Sequence, residues 1–292
     1  MVLLALALIL VAAFLHATWN LIAKVSKDMV ALMWWATVLG TFGYGVLLLS
    51  SSSIYLDPRS WLPFLVSAFA ETGYFVTLVR GYSQGDLSLV YPISRGSAPI
   101  FAAVWGGLLL GERLPWLGYL GVLLMVGGVF VASVPANPSG TKFGPSAVIS
   151  SFRNRAAGWA LASAIFISIF SLSDKVAVNA TPPLIYNWWV FAGNTVLWMI
   201  PTWGRPNFRM NLNELRSNWR AIIATSFMMV SAYAAALAAL ALTSASYVVA
   251  GRGLSVIIGA LFGSLFLRER FGASRIVGAS LMVAGLALIA FA

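Results

Sequence analysis

Ionisable side chains inside apolar stretches are the residues of this chain best placed to do chemistry. Glu71 lies about ten residues into an apolar run, and Arg95 and Arg252 each lie about a third of the way into one. Moving a charge from water into lipid is costly, so such groups require a functional or a structural partner. Glu71 could exchange protons or bind a substrate amine, and the arginines could hold a carboxylate. The structural alternative is that each group joins two helices.

Polar and aromatic side chains in other apolar runs could complete a binding site. His16 and Asn20 are four residues apart and share one helix face. The single histidine could relay protons, or it could form a hydrogen bond between helices. Tyrosines could line a cavity and stack on a ligand, although most membrane aromatics pack or lie at the interface. The candidate substrate-binding residues are His16, Trp19, Asn20, Glu71, Tyr74, Tyr82, Tyr91, Arg95, Tyr233 and Arg252.

Several other chemistries are excluded or disfavoured by the sequence. The chain has no cysteine, which excludes thiolate metal sites and disulfides. It has no phosphate-binding GxxxxGK[ST] motif, so ATP hydrolysis does not drive it. With eight acidic residues and no Asp/His cluster at ligand spacing, a metal-dependent membrane enzyme is disfavoured. We therefore expect no catalytic residues, no metal and no cofactor.

The composition places these residues in a membrane. The 292 residues are 60% hydrophobic and 9% charged, with a mean hydropathy of +0.89, which is more apolar surface than a soluble domain can bury. The net charge of +10 comes from bases between apolar runs, which indicates topology signals rather than nucleic-acid binding. Runs long enough to span a bilayer occupy residues 2–23, 30–50, 61–82, 87–110, 115–134, 156–177, 183–202, 219–241, 245–267 and 272–291.

The second half of the chain repeats the first. At an offset of 157, Arg95-Gly96 aligns with Arg252-Gly253 and Glu112-Arg113 with Glu269-Arg270, with 14 identities in the 34 positions from 95 to 128. Five spans in each half form an odd number, so the second repeat enters the membrane from the opposite side. We predict an all-α integral membrane protein of ten helices around a central cavity. Its parts are a repeat at 1–134, a linker at 135–155 and an inverted repeat at 156–292.

The distribution of lysine and arginine bears on orientation. Connectors on one side of the predicted membrane carry thirteen of these residues, and those on the other side carry three. The positive-inside rule therefore favours both termini outside the cytoplasm.

The sequence resembles the EamA family of the drug/metabolite transporter superfamily. The resemblance covers nearly the whole chain and is carried by Gly111-Glu112-Arg113-Leu114, by Arg268-Glu269-Arg270, by the opening His16-Ala17-Thr18-Trp19-Asn20 and by Pro99. In the second turn Arg268 stands where the family usually has glycine. The resemblance implies a secondary transporter with a cavity between two halves, similar to the YddG-type amino acid exporters. It also implies termini in the cytoplasm, which disagrees with the charge distribution.

From these observations we expect an exporter of amino acids or similar small metabolites in the bacterial inner membrane. Alternating access would hinge at Pro92–Pro99 and at the equivalent Gly251–Gly253, where proline and glycine weaken a helix. Its partners would be the lipid bilayer, an amino-acid-like substrate and protons as a coupling ion. The alternatives are a proton-coupled exporter of drugs or other cations, a passive channel, and a membrane enzyme acting on lipid-linked substrates.

Overall fold

The protein is an all-α membrane protein. The structure, a computed structural model, describes residues 2–51, 54–84, 87–133, 155–198, 208–267 and 273–291, and within these ranges it contains helices and no strand. The α-helices are α1 Val2–Val25, α2 Met29–Ser51, α3 Trp61–Gln84, α4 Leu87–Leu109, α5 Trp116–Ser133, α6 Arg155–Ala177, α7 Pro183–Leu197, α8 Phe208–Ser217, α9 Trp219–Leu242, α10 Ala245–Arg252, α11 Leu254–Leu267 and α12 Ala273–Phe291.

The predicted spans correspond closely to these helices. In the described part of the chain, five helices are long and apolar enough to cross a membrane by length and composition: α1, α2, α3, α6 and α9. The predicted span 245–267 is divided into α10 and α11, and 183–202 is helical as far as Leu197. The linker predicted at 135–155 lies, apart from its last residue, outside the described residues.

The two predicted hinge segments differ in structure. The break expected at Pro92–Pro99 is not present, because α4 runs from Leu87 to Leu109 without interruption. Proline removes one backbone donor, and a membrane helix tolerates that loss where its surroundings hold the backbone in place. The equivalent segment is broken at Gly253, whose amide donates to the carbonyl of Ala250 at 2.9 Å. The two repeats are therefore not identical at this position.

Packing occurs mainly between the two repeats. Helix α1 packs along α9, and its counterpart α6 packs along α3; α5 and α12 pack against each other. The glycines of the sequence repeat make the last of these crossings. A Cβ atom built on Gly128 would lie 2.6 Å from the Gly278 carbonyl, and one built on Gly285 would lie 2.6 Å from the Gly121 carbonyl. Small residues allow the two backbones to approach this closely.

The Gly-Glu turn between α4 and α5 has a structural role. Gly111 has a φ of +64°, a left-handed conformation that favours glycine. The Glu112 carboxylate accepts hydrogen bonds from the Ala245 amide at 2.8 Å and the Ser246 hydroxyl at 3.0 Å, so it caps the first turn of α10. At the same face, Lys175 donates to the carbonyls of Leu240 and Thr243 at the end of α9. These contacts connect the two repeats and position α10, which carries Arg252. The equivalent Glu269 lies outside the described residues.

Candidate functional site

A cavity lies between the two repeats at the level of the buried charges. Its free volume is about 30 Å³, so the cavity is narrow in this conformation. The side chains around it are His16, Trp19, Glu71, Tyr74, Phe75, Arg95, Phe170, Phe191, Met229, Ala232, Tyr233 and Arg252. The structure thus brings together seven of the ten residues predicted from the sequence.

Equivalent positions of the two repeats face each other across this cavity. Arg95 and Arg252 are 157 residues apart, and Phe75 and Tyr233 are 158 residues apart. The cavity therefore lies on the pseudo-two-fold axis of the inverted repeat. The two repeats nevertheless contribute different chemical groups to the cavity, because the position equivalent to Glu71 in the second repeat is Met229. A substrate with two different ends would meet two different walls.

Arg95 is buried against aromatic and imidazole groups. One of its terminal nitrogens contacts Nε2 of His16 and donates to the Tyr74 hydroxyl at 3.2 Å. Its guanidinium carbon lies 5.5 Å from the centre of the Tyr74 ring, within the range of a cation–π interaction. A guanidinium only donates hydrogen bonds, so the His16 nitrogen that faces it acts as an acceptor and carries no proton. None of these partners is an anion.

Arg252 is 7% exposed and also lines the cavity. Its Nε atom has no hydrogen-bond partner in the described part of the chain, and the same is true of Nε of Arg95. Among the described residues the one salt bridge is the exposed pair of Arg59 and Asp57, so neither buried arginine is paired with a carboxylate there. Buried donors are normally satisfied, so two unsatisfied guanidinium nitrogens in residues that line a cavity require a physical explanation.

Glu71 is buried and its carboxylate is held by one amide. Asn194 on α7 donates from Nδ2 to Oε2 of Glu71, and Thr72 donates to the other end of the same amide at 3.3 Å. The second carboxylate oxygen is left for a ligand in the cavity. Sequence reasoning did not select Asn194; an amide within the apolar run 183–202 was the available signal.

Asp174 is a second buried carboxylate, which the sequence analysis did not select. It accepts hydrogen bonds from Ser67 at 2.6 Å, from Tyr233 at 2.6 Å and from Tyr186 at 3.1 Å. These donors come from α3, α9 and α7, so Asp174 on α6 joins four helices. Its position beside Lys175, near the end of an apolar run, favoured an interfacial placement in the sequence. The structure instead directs it inward, where it is 1% exposed.

Three of the predicted site residues do not line the cavity. Asn20 donates to the carbonyl of His16 on its own helix at 2.8 Å. Tyr91 pairs with the Ser255 hydroxyl at 3.0 Å in a separate apolar cluster. Tyr82 is packed in the core, and its hydroxyl has no partner among the described residues. The rotation of each helix about its own axis turns these residues away from the cavity, and the sequence does not report that rotation directly.

The lining also contains aromatic residues that were not predicted. Phe75, Phe170 and Phe191 form part of the wall between the charged groups. Two of these rings pack edge to face against tyrosine rings. The ring centres of Phe170 and Tyr74 are 6.0 Å apart, and those of Phe191 and Tyr233 are 6.2 Å apart. The cavity therefore combines a carboxylate, two guanidinium groups and an aromatic surface. No group of histidine and acidic residues that could hold a metal is found in the part of the chain that the structure describes.

Two curated proteins resemble parts of this chain, one named as a transporter and the other as a transmembrane protein. Over 76 residues the chain is 30% identical to an "Uncharacterized transporter in cobO 3'region" from Sinorhizobium sp, covering 26% of this chain and 53% of that protein. Over 79 residues it is 33% identical to a "Transmembrane protein 234 homolog" from Dictyostelium discoideum, covering 27% of this chain and 58% of that protein. The chain thus spans little more than half the length of the curated relatives that it matches.

A solved crystal structure shares the fold. It matches 97% of this chain and 95% of its own with a TM-score of 0.75, at 16% sequence identity. The family description "EamA-like transporter family" matches residues 3–134 and 154–291, which together make up most of the chain. With a multi-pass helical fold and two family repeats lining one cavity, this chain belongs to the EamA-like transporter family of the drug/metabolite transporter superfamily.

Proposed function

We propose that this transporter exports amino acids or similar small zwitterions across a bacterial inner membrane. The observation that carries the proposal is the arrangement of charge in the cavity. A carboxylate, Glu71, and two guanidinium groups, Arg95 and Arg252, line the same space without a salt bridge between them. A zwitterion brings the complementary charge to each wall.

The energetics favour a ligand with both charges. A buried ionised group that lacks a partner keeps much of its desolvation cost, which amounts to several kcal/mol in proteins. An amino acid would place its ammonium at Glu71 and its carboxylate at the arginines. The side chain would lie against the aromatic wall, where Trp19 and the phenylalanines offer apolar surface. Binding would thus relieve the cost of the buried charges that the empty cavity leaves unpaired.

The inverted repeat supports alternating access. Inverted-repeat transporters move one bundle against the other around a site near the membrane centre. The cavity lies between the repeats, and the break at Gly253 separates α10, which carries Arg252, from α11. We propose that this break is the hinge. A rotation there would carry Arg252 with α10 while the uninterrupted α4 holds Arg95 in place.

The experiment is counterflow in proteoliposomes. Vesicles are loaded with a mixture of unlabelled amino acids and supplied with one labelled amino acid at a time outside. Saturable accumulation of a label identifies a carrier and its substrate. Accumulation of labelled organic cations instead of amino acids would overturn the zwitterion proposal and favour a drug exporter. Flux that does not saturate would indicate a channel.

The role of Glu71 is tested by the variant Glu71→Gln in the same assay. We expect the variant to lose most of the amino acid counterflow, because an amide carries no charge to pair with an ammonium group. A matched control is Asp57→Asn, which makes the same chemical change outside the cavity, in a connector. Unchanged amino acid flux in Glu71→Gln over the whole pH range would remove Glu71 from both substrate binding and proton coupling.

A further inference from the structure

A smaller cavity, too narrow in this conformation to hold a water molecule, adjoins the central one and is built from both repeats. It is lined by Arg95, Ala98, Ile167, Ser171, Val249 and Arg252. The first two residues lie on α4, the next two on α6 and the last two on α10. Both arginines also line the central cavity, so the two spaces meet at the guanidinium groups.

The polar groups of this smaller cavity share one property. Each has a buried atom without a hydrogen-bond partner in the described part of the chain: Nε of Arg95, Nε of Arg252 and Oγ of Ser171. The three residues are 4%, 7% and 2% exposed, so bulk water does not satisfy these atoms. All three can donate a hydrogen bond, and a guanidinium cannot accept one. Three convergent donors, two of them charged, are suited to an oxyanion.

We propose that the side chains around this smaller cavity move apart to form the subsite for the substrate's carboxylate, held between Arg95 and Arg252 with Ser171 as a third donor. This inference rests on the proposed function and assigns the anionic end of its substrate. A carboxylate has about four lone-pair positions, which exceeds the three donors that are free, so one group can satisfy all of them. Each repeat supplies one arginine, so the subsite is complete only when the two repeats are together.

The two carboxylates buried near this site in the described part of the chain do not fill this role. Asp174 is occupied by three hydroxyl donors from Ser67, Tyr186 and Tyr233. Glu71 is held by Asn194 on the other wall. Arg95 also contacts His16, whose nitrogen accepts from the guanidinium, and the Tyr74 hydroxyl, and neither of these groups is a carboxylate. The two positive charges are thus left for an anion from outside.

The apolar part of the lining strengthens the attraction. Ala98, Ile167 and Val249 complete the wall around the three donors. Such residues keep the local dielectric low, and an ion pair is stronger there than at a surface. Two like charges held close together also repel each other, and a bound anion relieves that repulsion. The subsite should therefore require a negative charge, and a neutral amide of the same shape should bind poorly.

The experiment compares a matched acid and amide on the purified full-length protein. The probes are 3-phenylpropionate and 3-phenylpropionamide, which suit the aromatic wall and differ only in the charged end. Binding is measured as ligand-dependent thermal stabilisation in detergent, together with competition against amino acid counterflow. We expect the acid to bind at least about tenfold more tightly than the amide, since hydrogen bonds to charged groups are the stronger class.

Variants connect this preference to the named residues. Arg95→Lys and Arg252→Lys keep the charge but lose the fork of donors, and each should weaken acid binding about tenfold or more while leaving amide binding unchanged. Ser171→Ala should weaken acid binding less, about threefold to tenfold. Arg59→Lys, in an exposed connector, is the control and should match the wild type. The wild-type comparison of acid and amide stands even if one variant fails to fold.

The outcomes separate this inference from the proposed function. Equal binding of acid and amide, or no binding of either, would overturn the carboxylate subsite while amino acid counterflow, if present, would still support the transporter. Arginine-dependent binding of the acid without counterflow of any amino acid would support the subsite and overturn the amino acid assignment. Amino acid counterflow that is inhibited by the acid and not by the amide would support both.

Discussion

Asp174 holds four helices together, and the variant Asp174→Asn tests that role. The carboxylate accepts hydrogen bonds at 2.6 Å from Ser67 and Tyr233 and at 3.1 Å from Tyr186. All three partners are hydroxyl groups, each of which can donate a hydrogen bond to an ionised carboxylate. Asparagine has nearly the same size, so the change removes charge and one acceptor without creating a void. The variant should therefore weaken the association of the four helices that Asp174 joins.

The magnitude follows from the three bonds. Hydrogen bonds to charged groups contribute about 1.5–3 kcal/mol each and neutral ones about 0.5–1.5 kcal/mol. In the variant, the Oδ2 bond from Tyr233 is lost and the two Oδ1 bonds become neutral, a gross loss of about 5 kcal/mol by these averages. A neutral amide is less costly to bury than a carboxylate, which offsets part of that loss. We expect a net decrease of about 2 kcal/mol in the free energy of unfolding.

The assay is reversible unfolding in mixed micelles with increasing sodium dodecyl sulfate, followed by tryptophan fluorescence. A double-mutant cycle of Asp174→Asn with Tyr233→Phe should give a coupling energy of about 1–2 kcal/mol, because the two groups share one strong hydrogen bond. The control is Tyr44→Phe, whose hydroxyl donates to the Leu184 carbonyl near the membrane surface. A coupling energy of zero, or wild-type stability of Asp174→Asn, would refute the reasoning.

Two further predictions concern contacts between the repeats. Gly128→Ala should destabilise the protein by about 1–3 kcal/mol, because the added Cβ meets the backbone of α12. The control is Gly127→Ala, which should be neutral or slightly stabilising because nothing lies within 4 Å of the added Cβ. Equal melting temperatures for these two alanine variants would contradict the close crossing. Glu112→Gln should lower stability by about 1 kcal/mol through weaker capping of α10, as measured by thermal unfolding in detergent. Arg113→Gln in the same turn is the control, and an equal effect in both would exclude capping as the cause.

The helices and the repeat could be predicted because lipid limits what the backbone can do. Without water to bond to, a long apolar segment must satisfy its own amides and carbonyls, so apolar runs such as 61–82 and 219–241 became helices. The alignment of Arg95 with Arg252 indicated the repeat, since charged residues rarely align by chance in apolar sequence. Their common depth in the two repeats placed them together at the pseudo-two-fold axis.

The composition of the site was less predictable, since it depends on how each helix is rotated. Tyr74 and Tyr91 both lie well inside apolar helices, yet Tyr74 faces the cavity and Tyr91 faces Ser255. These helices are apolar nearly all round, so no polar face in the sequence indicates which side turns inward. The sequence also could not indicate that Asp174 turns into the protein. Its position near a helix end suggested the membrane surface, and three hydroxyl groups from other helices turned it inward.

The sequence by itself determined that this is a membrane protein of two inverted five-helix repeats, with a glutamate and two arginines placed at depth. The physical reason is that burial in lipid leaves a helix as the available backbone structure and makes every buried charge conspicuous. The tertiary structure decided which side chains converge, that α10 and α11 separate at Gly253 while α4 stays intact, and that both arginines keep unsatisfied donors. Those features arise from packing between helices distant in the chain, where many weak contacts compete and no local pattern records the outcome.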